Sequence, residues 1–325
     1  MSPLSELADT IRARVVASAT SPFGHTDYPL ADSLSHRGDP GLFGPGSPSW
    51  AVIGDAAAFV GGIRALLIQA AHPEVVAGVS DHSRYREDPL GRLSRTSAYV
   101  TATTFGAGPE VTRAVSLVRR AHEPVRGRSH RNRPYAAGTP RFAAWVHNAL
   151  TDSFLTAYRW YGPRPLTPSD ADRFVAEQAR IGRLLDADPT PETADALTAW
   201  VADHPDVAAS PGMRETVAFL ADPPLDRAQR AGYRILYEAA VATIPPRIRL
   251  ALGVEANRGA VPAGRAAVGF LRWALGSSPS WNLALVRVGA EIPAGLFRQP
   301  LPVPDPAQSE AQVALHPEVA SDDDG

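Results

Sequence analysis

The chain has 325 residues, a formal net charge of −2 and a pI near 6.5, and this length suits one large domain or two ordinary ones. It contains no cysteine and no lysine. These absences exclude disulfides, thiolate nucleophiles, Fe–S clusters, Schiff bases and P-loop chemistry. Because the sequence also lacks a basic run, nucleic acid is not expected as a partner, and a protein that handles a small molecule is favoured.

Residues 1–49 are predicted to form an N-terminal helix followed by an irregular arm. Within residues 1–20, Leu4, Leu7, Ile11 and Val15 recur on one side of a short amphipathic helix. This segment lacks the basic start and apolar run of a signal peptide, and no stretch reaches the ~20 apolar residues that a membrane span needs. We therefore expect a cytoplasmic protein without a membrane span.

Residues 50–299 are predicted to form a single helical domain, and the acidic residues 300–325 a disordered tail. No strand pattern of useful length occurs, so the predicted fold class is all-α. The expected helices are approximately 50–72, 73–79, 92–105, 109–125, 141–160, 169–185, 191–204, 211–220, 226–243, 245–253, 263–275 and 280–289.

His122 is the histidine with the most informative position. It follows Val111, Val115 and Val118 at three- and four-residue spacing, so its imidazole is predicted to face the protein interior. A buried imidazole must find a partner or stay neutral. Two interpretations remain open from the residues alone: a hydrogen-bonded core histidine, or a haem ligand that faces an apolar slot.

The other histidines carry weaker signals. His147 lies beside an apolar helical face, where a buried structural histidine is the favoured interpretation. His72 precedes a proline at a helix end, and Asp81-His82-Ser83 is favoured as a capping cluster in a loop. The alternative is a non-haem metal site drawn from His72, Asp81, His82, His122 and His147.

Arg92, Arg95 and Thr96 form the short motif Arg-x-x-Arg-Thr, and their spacing places all three on one helical face. One interpretation is a salt-bridged surface turn, supported by the nearby Glu87 and Asp88. The other is a set of fixed donors that hold a bound oxygen species or a carboxylate above a reactive centre.

Several separated motifs resemble one known family. They are Gly62-Ile-Arg-Ala-Leu-Leu-Ile-Gln-Ala-Ala-His-Pro73, Gly78-Val-Ser-Asp-His-Ser83, Gly91-Arg-Leu-Ser-Arg-Thr96, Thr103-Thr-Phe-Gly106, Val118-Arg-Arg-Ala-His122, Trp145-Val-His147, Leu236-Tyr-Glu and Ile244-Pro-Pro-Arg-Ile-Arg249 with Gly253. In this order they resemble the domain shared by bacterial latex-clearing rubber oxygenases and the fungal oxygenase of mycophenolic acid biosynthesis. The resemblance covers roughly residues 50–253.

The resemblance implies a globin-like helical core that holds haem b, with dioxygen and a small apolar molecule, such as an isoprenoid, as substrates. His122 would be the iron ligand, and Arg92, Arg95 and Thr96 would be the catalytic group on the opposite side. Arg64 and His147 are further candidates for binding the cofactor. The alternatives are a protein that binds haem or an apolar ligand without turnover, and a non-haem metal enzyme.

The chain departs from the family pattern at Arg95, where rubber oxygenases have lysine. Arginine is permanently charged and bulkier than lysine, so this side of the pocket is expected to work differently. The family's catalytic glutamate has no assigned counterpart, and Glu74 and Asp81 are the candidates for that acid/base role. The sequence leaves the substrate and the oligomeric state open.

Overall fold

The computed structural model describes residues 3–20, 27, 29–83 and 88–296. These ranges are predominantly helical, as predicted. The helices are α1 (Pro3–Thr20), α2 (Pro48–Gly54), α3 (Ala58–Ala70), α4 (Pro73–His82), α5 (Pro89–Phe105), α6 (Gly108–His122), α7 (Pro140–Tyr161), α8 (Pro168–Arg183), α9 (Ala194–Ala202), α10 (Pro211–Ala221), α11 (Arg227–Ala242), α12 (Pro246–Leu252), α13 (Ala260–Leu275) and α14 (Pro279–Arg287). A short 3-10 turn at Ser33–Ser35 precedes α2.

Several of these helices, among them α2, α5, α7, α8, α10 and α14, begin with the same local signal, a hydroxyl or carboxylate residue followed by proline. The Ser47 side chain accepts hydrogen bonds from the amides of Ser49 and Trp50 at the start of α2. Thr167 and Ser210 cap α8 and α10 in the same way. Proline suits the first helical turn because its missing N–H has no partner there, and the cap satisfies a free amide. These signals explain why most predicted starts lie within three residues of the observed ones.

Two clusters of buried side chains form the core. In the larger cluster α3 packs along α7, and α11 packs against α3 and α13. The second cluster contains Trp50, Phe105 and Val111 together with Leu30, Leu42 and Phe43 from the predicted arm. The described part of the arm is therefore built into the core through these three apolar side chains.

Three predictions about local structure are wrong. The single helix predicted over residues 50–72 is two helices, α2 and α3, with a break between them. The helix predicted to end at Val79 continues to His82, so Asp81 and His82 lie in the last turn of α4 instead of a loop. Residues 126–140, which lie between two predicted helices and were expected to contain no strand, form a small antiparallel hairpin with β1 (Arg126–Arg128) paired to β2 (Pro134–Ala136). Strands of three residues are too short to show alternation in the sequence, and the hairpin is stabilised by α4 behind it.

Among the described residues no single helix has the length and apolar composition to cross a membrane. Helices α2 and α3 reach that composition only as a pair, and the pair is bent by 88° at the break between them. The acidic tail predicted at residues 300–325 lies outside the described residues.

Candidate functional site

Helices α5 and α6 carry most of the predicted site. They are consecutive, pack against each other and are joined by Gly106 and Ala107. Arg92 lies fourteen residues before Gly106 and His122 lies fifteen residues after Ala107. At about 1.5 Å per residue, both lie roughly 20 Å along their helices from the shared connection. The fold therefore places the arginine motif and His122 at corresponding ends of two neighbouring helices.

The arginine motif lies in the first half of α5. Asp88 caps the helix by accepting from the Gly91 amide at 2.9 Å, and its other oxygen lies 3.2 Å from Nη1 of Arg95. The side chains of Arg95 and Asp88 are about half exposed, at 54% and 49%. The Thr96 hydroxyl donates to the Arg92 carbonyl. The surface ion pair that the sequence offered as one interpretation is thus present for Arg95, whereas Glu87 lies outside the described residues.

His122 is the last residue of α6 and its side chain is half-buried. Val111 and Val115 on the same face are buried. Burial lowers the pKa of His122 below the ordinary value of histidine, so the ring is neutral near pH 7. Its backbone carbonyl accepts from the Val125 amide, and its ring makes no hydrogen bond to any described residue. The imidazole nitrogens are therefore not committed to a described protein group.

Tyr99 adds a polar group that the sequence analysis missed. It lies one turn beyond Arg95 and Thr96 on α5, and its hydroxyl is buried without a hydrogen-bond partner among the described residues. Burial raises its pKa, so the phenol stays protonated. An unpaired buried hydroxyl costs stability, and such a group is often explained by a ligand or water. Its position on the same helical face as Arg92 was the available signal.

Arg64 lies deep in the core on α3, where protein groups engage it. Nη1 donates to Asp152 at 2.7 Å and to the Ser153 hydroxyl at 2.9 Å, and Nε donates to the Thr243 carbonyl at 3.3 Å. The structure therefore does not bring it to the arginine motif of α5. Its predicted role in cofactor binding stays a prediction.

His147 is buried between α7 and α8. Its Nε2 lies 3.4 Å from the Thr151 hydroxyl, and a methyl group at Gly182 would lie 2.7 Å from its Cδ2. Burial lowers its pKa to about 4, partly offset by a hydrogen bond to the Gln178 backbone. These contacts match the buried structural histidine that the sequence favoured, and its role in cofactor binding stays a prediction.

The candidate acids Glu74 and Asp81 both connect α4 to the β1–β2 hairpin. Glu74 accepts from the Ser129 hydroxyl at 2.7 Å and forms a bidentate pair with Arg131. Asp81 accepts a short hydrogen bond from the Tyr135 hydroxyl. Burial alone would raise the pKa of Glu74, but the hydrogen bonds from Arg131 and Ser129 outweigh it and hold the pKa low. Glu74 is therefore an anchored carboxylate at neutral pH.

A second polar group, which we name the His72 cluster, consists of His72, His204 and Asp206. One potential ligand atom from each residue lies within 4.8 Å of the other two. Of the five residues proposed from the sequence for a non-haem metal site, only His72 belongs to this cluster. Its partners come from the connection between α9 and α10, and sequence reasoning missed both. The available signal was the close pair in His204-Pro205-Asp206.

The helical fold and its histidine-bearing sites define an all-α protein with side chains suited to bind a metal or a metal cofactor. The family model described as ER-bound oxygenase mpaB/B'/Rubber oxygenase, catalytic domain, matches residues 50–273. The chain belongs to this family, and it carries an oxygenase-type catalytic domain. Searches of curated proteins and of solved structures found no match.

Proposed function

We propose that this protein is a haem b-dependent oxygenase that acts on a small apolar substrate, such as an isoprenoid, with dioxygen as co-substrate. Membership of an oxygenase family supports the reaction class and suggests a metal cofactor. The observation that carries the assignment of the site is the half-buried ring of His122, which faces no described hydrogen-bond partner. The predicted cytoplasmic location remains part of the proposal.

His122 fits the role of iron ligand for two reasons. Its lowered pKa keeps the imidazole neutral, which leaves a nitrogen lone pair available near pH 7. A haem ligand also needs an apolar approach, and Val111 and Val115 supply it on the preceding turns. Haem bound there would supply the iron that activates dioxygen, a chemistry that no protein side chain provides.

The side-chain donors of α5 fit a different role, the binding of an oxygen atom instead of iron. The ion pair of Arg95 with Asp88 is half exposed, and such pairs contribute only about 0–1 kcal/mol, so the guanidinium is readily recruited by a stronger partner. Arg95 and Arg92 would donate hydrogen bonds to an anionic or polar oxygen. Thr96 would stabilise the helical turn between them, because its hydroxyl donates to the Arg92 carbonyl. The Tyr99 hydroxyl offers one further donor on that helix.

The absorption spectrum of the purified protein tests the cofactor. We expect a Soret band that is lost in His122→Ala and retained in His82→Ala. His82 is the matched control because its ring is exposed and lies 3.0 Å from the Arg126 carbonyl. A protein that remains colourless after reconstitution with haem, or a His122→Ala variant with an unchanged spectrum, would contradict the assignment.

Binding without turnover is the second candidate. Arg95 favours it, because a fixed positive charge stands where the rubber oxygenases have a lysine that is able to lose its proton. Oxygen uptake by the haem-loaded protein in the presence of geraniol, farnesol or squalene separates the two functions. Substrate-dependent uptake supports the oxygenase, whereas haem binding with no uptake for any of the three supports a carrier.

A further inference from the structure

The His72 cluster lies where the junction of α3 and α4 contacts the connection between α9 and α10. His72 joins α3 to α4 and is almost fully buried, whereas His204 and Asp206 are partly exposed in the connection between α9 and α10. A backbone hydrogen bond of 3.0 Å from the Ala208 amide to the Ala71 carbonyl holds the connection beside His72. The cluster shares no residue with the α5 and α6 site, so it forms a separate feature.

The two nitrogens of His72 each face a carboxylate. Nδ1 lies 3.5 Å from Glu74 Oε2 and Nε2 lies 3.8 Å from Asp206 Oδ2. A neutral imidazole has one N–H and one lone pair. Nδ1 has no hydrogen-bond partner among the described residues, and whichever nitrogen carries the proton, the other nitrogen lies within 3.8 Å of a negatively charged oxygen. This arrangement is unfavourable unless a positive charge lies between the ring and one carboxylate.

The existing cations occupy other positions around the cluster. Arg131 pairs with both oxygens of Glu74, and Arg133 lies 3.0 Å from Oδ1 of Asp206. Arg131 also reaches Oδ1 of Asp206, at 4.0 Å. Within the described residues, Oδ2 of Asp206, the oxygen that faces His72, accepts no hydrogen bond. Arg247 donates to the backbone carbonyl of His204 at 2.9 Å, and this hydrogen bond holds the loop in place.

We propose that His72, His204 and Asp206 bind one divalent first-row transition-metal ion, of which Zn²⁺ is the simplest probe. Two imidazoles and one carboxylate form a donor set that suits Zn²⁺ and Fe²⁺ and disfavours Mg²⁺ and Ca²⁺. Ligands that bind at about 2.0–2.2 Å in a tetrahedron lie roughly 3.4 Å apart. Since the ligand atoms lie within 4.8 Å of one another, small side-chain rotations complete the site.

The surroundings of the cluster match those of known metal sites. In such sites the second nitrogen of a ligating histidine usually donates to a carboxylate or carbonyl, which fixes the tautomer. Oε2 of Glu74 lies 3.5 Å from Nδ1 of His72, which has no hydrogen-bond partner among the described residues, so a small rotation would let Nδ1 donate to Glu74 and would leave Nε2 as the ligand. Trp145 lies 4.7 Å from the His204 ring and 5.7 Å from the His72 ring, measured between centroids. This aromatic wall keeps one side dry, and partly exposed Asp206 provides the entry from solvent.

The competing explanation is that His72 carries a proton and bridges the two carboxylates as an imidazolium. Burial opposes it, because His72 is almost fully buried and an imidazolium there would lose its hydration. The two explanations differ in a measurable way. An imidazolium bridge requires no metal, so the protein would then bind Zn²⁺ no better than a variant without the cluster.

The test uses the full chain, treated with EDTA, dialysed and titrated with Zn²⁺ and then with Co²⁺. The variants are His204→Gln and Asp206→Asn, which replace partly exposed side chains and leave buried His72 in place. His82→Gln is the control because it removes an exposed imidazole outside the cluster. Zn²⁺ binding is followed by competition with a chromophoric chelator and by the melting temperature, and Co²⁺ by quenching of tryptophan fluorescence.

We expect one equivalent of Zn²⁺ to bind to the wild type and to His82→Gln and to raise the melting temperature of both. His204→Gln and Asp206→Asn should each weaken binding by about tenfold or more, since loss of even an outer-shell partner costs about 10–100-fold. Co²⁺ should quench fluorescence in the wild type through the nearby Trp145 and Trp200, but not in the two cluster variants.

Absence of Zn²⁺ binding in the wild type, or equal binding in all variants, would overturn the proposal. The outcome is independent of the haem assignment, because His122→Ala should lose the Soret band and still bind Zn²⁺ at the His72 cluster. A His122→Ala variant that loses Zn²⁺ as well as the Soret band would place the ion at the α5 and α6 site and would also overturn it.

Discussion

The guanidinium of Arg64 and the carboxylate of Asp152 form an ion pair in the centre of the core, with 2.7 Å between Nη1 and Oδ2 and side-chain exposures of 2% and 1%. The second oxygen of Asp152 accepts from the Thr198 hydroxyl at 3.1 Å. The pair therefore connects α3, α7 and α9 through polar contacts inside an otherwise apolar cluster. A buried pair of this kind is costly to break, because removing one partner leaves the other charge without compensation.

Asp152→Ala is expected to lower the free energy of unfolding by about 3–5 kcal/mol, the cost of an uncompensated buried charge. Arg113→Ala is the matched control, since its pair with Asp32 has exposures of 67% and 62% and should change stability by about 1 kcal/mol or less. Urea unfolding followed by circular dichroism gives both values. Equal effects of the two substitutions would show that the Arg64 pair does not stabilise the core.

Tyr99→Phe is expected to leave the stability of the haem-free protein unchanged or to raise it by about 1 kcal/mol, because the substitution removes a buried hydroxyl that lacks a described partner. Tyr161→Phe provides the contrast, because that hydroxyl donates to the Ala239 carbonyl at 2.8 Å. Its loss should cost about 1–3 kcal/mol by leaving the carbonyl unpaired. Thermal melts of both variants test the difference, and a larger loss in Tyr99→Phe would contradict it.

The buried His147 makes stability depend on pH. Its pKa is lowered to about 4 in the folded chain, against an ordinary value of about 6.5. The unfolded state therefore binds more protons between these values, and stability is lost as the pH falls below about 6.5. At pH 5 this single group accounts for about 2 kcal/mol.

His147→Gln should therefore destabilise the protein less at pH 5 than at pH 7, because the variant has no proton to take up on unfolding. Urea unfolding of the two proteins at both pH values gives the difference. The exposed His82→Gln is the control and should follow the wild-type profile at both pH values. A His147→Gln profile parallel to that of the wild type would show that this ring is protonated in the folded state.

Azide binding to the ferric protein after reconstitution with haem tests the proposed role of Arg95. A charge-assisted hydrogen bond contributes about 1.5–3 kcal/mol, so Arg95→Ala is expected to weaken azide binding by about 10–100-fold. Arg95→Lys keeps the charge and should lose less, and Arg113→Ala controls for the general loss of one positive charge. Titration of the Soret band measures all three. Unchanged azide affinity in Arg95→Ala would place this guanidinium away from the iron.

Local signals explain what was predicted correctly about the fold. The observed starts of α7 and α8 follow Thr139-Pro140 and Thr167-Pro168, both readable in the sequence. The hairpin was missed because β1 and β2 have only three residues each and are stabilised by contacts with α4, through Glu74 and Asp81. The sequence of the hairpin itself contains no signal for these contacts, because α4 lies far from it along the chain.

The candidate site residues also fall into two groups, those that a local pattern reveals and those that only the packing of distant segments brings together. The arginine motif and His122 were recognisable because each lies within one helix, where three- and four-residue spacing defines a face. Asp206 and His204 were missed because nothing in their own segment places them beside His72. Arg64 was predicted to bind the cofactor, but its observed partner Asp152 lies on another helix and was not considered.

The sequence by itself determined the all-α class, most of the helix starts and the family, and it indicated the arginine motif as a candidate site, because capping, periodicity and ordered motifs act over a few residues at a time. Only the tertiary structure decided that Arg64 pairs with Asp152 and that His72, His204 and Asp206 converge. Those contacts depend on how helices pack across the core, and packing is set by the summed burial of many side chains instead of by any local pattern.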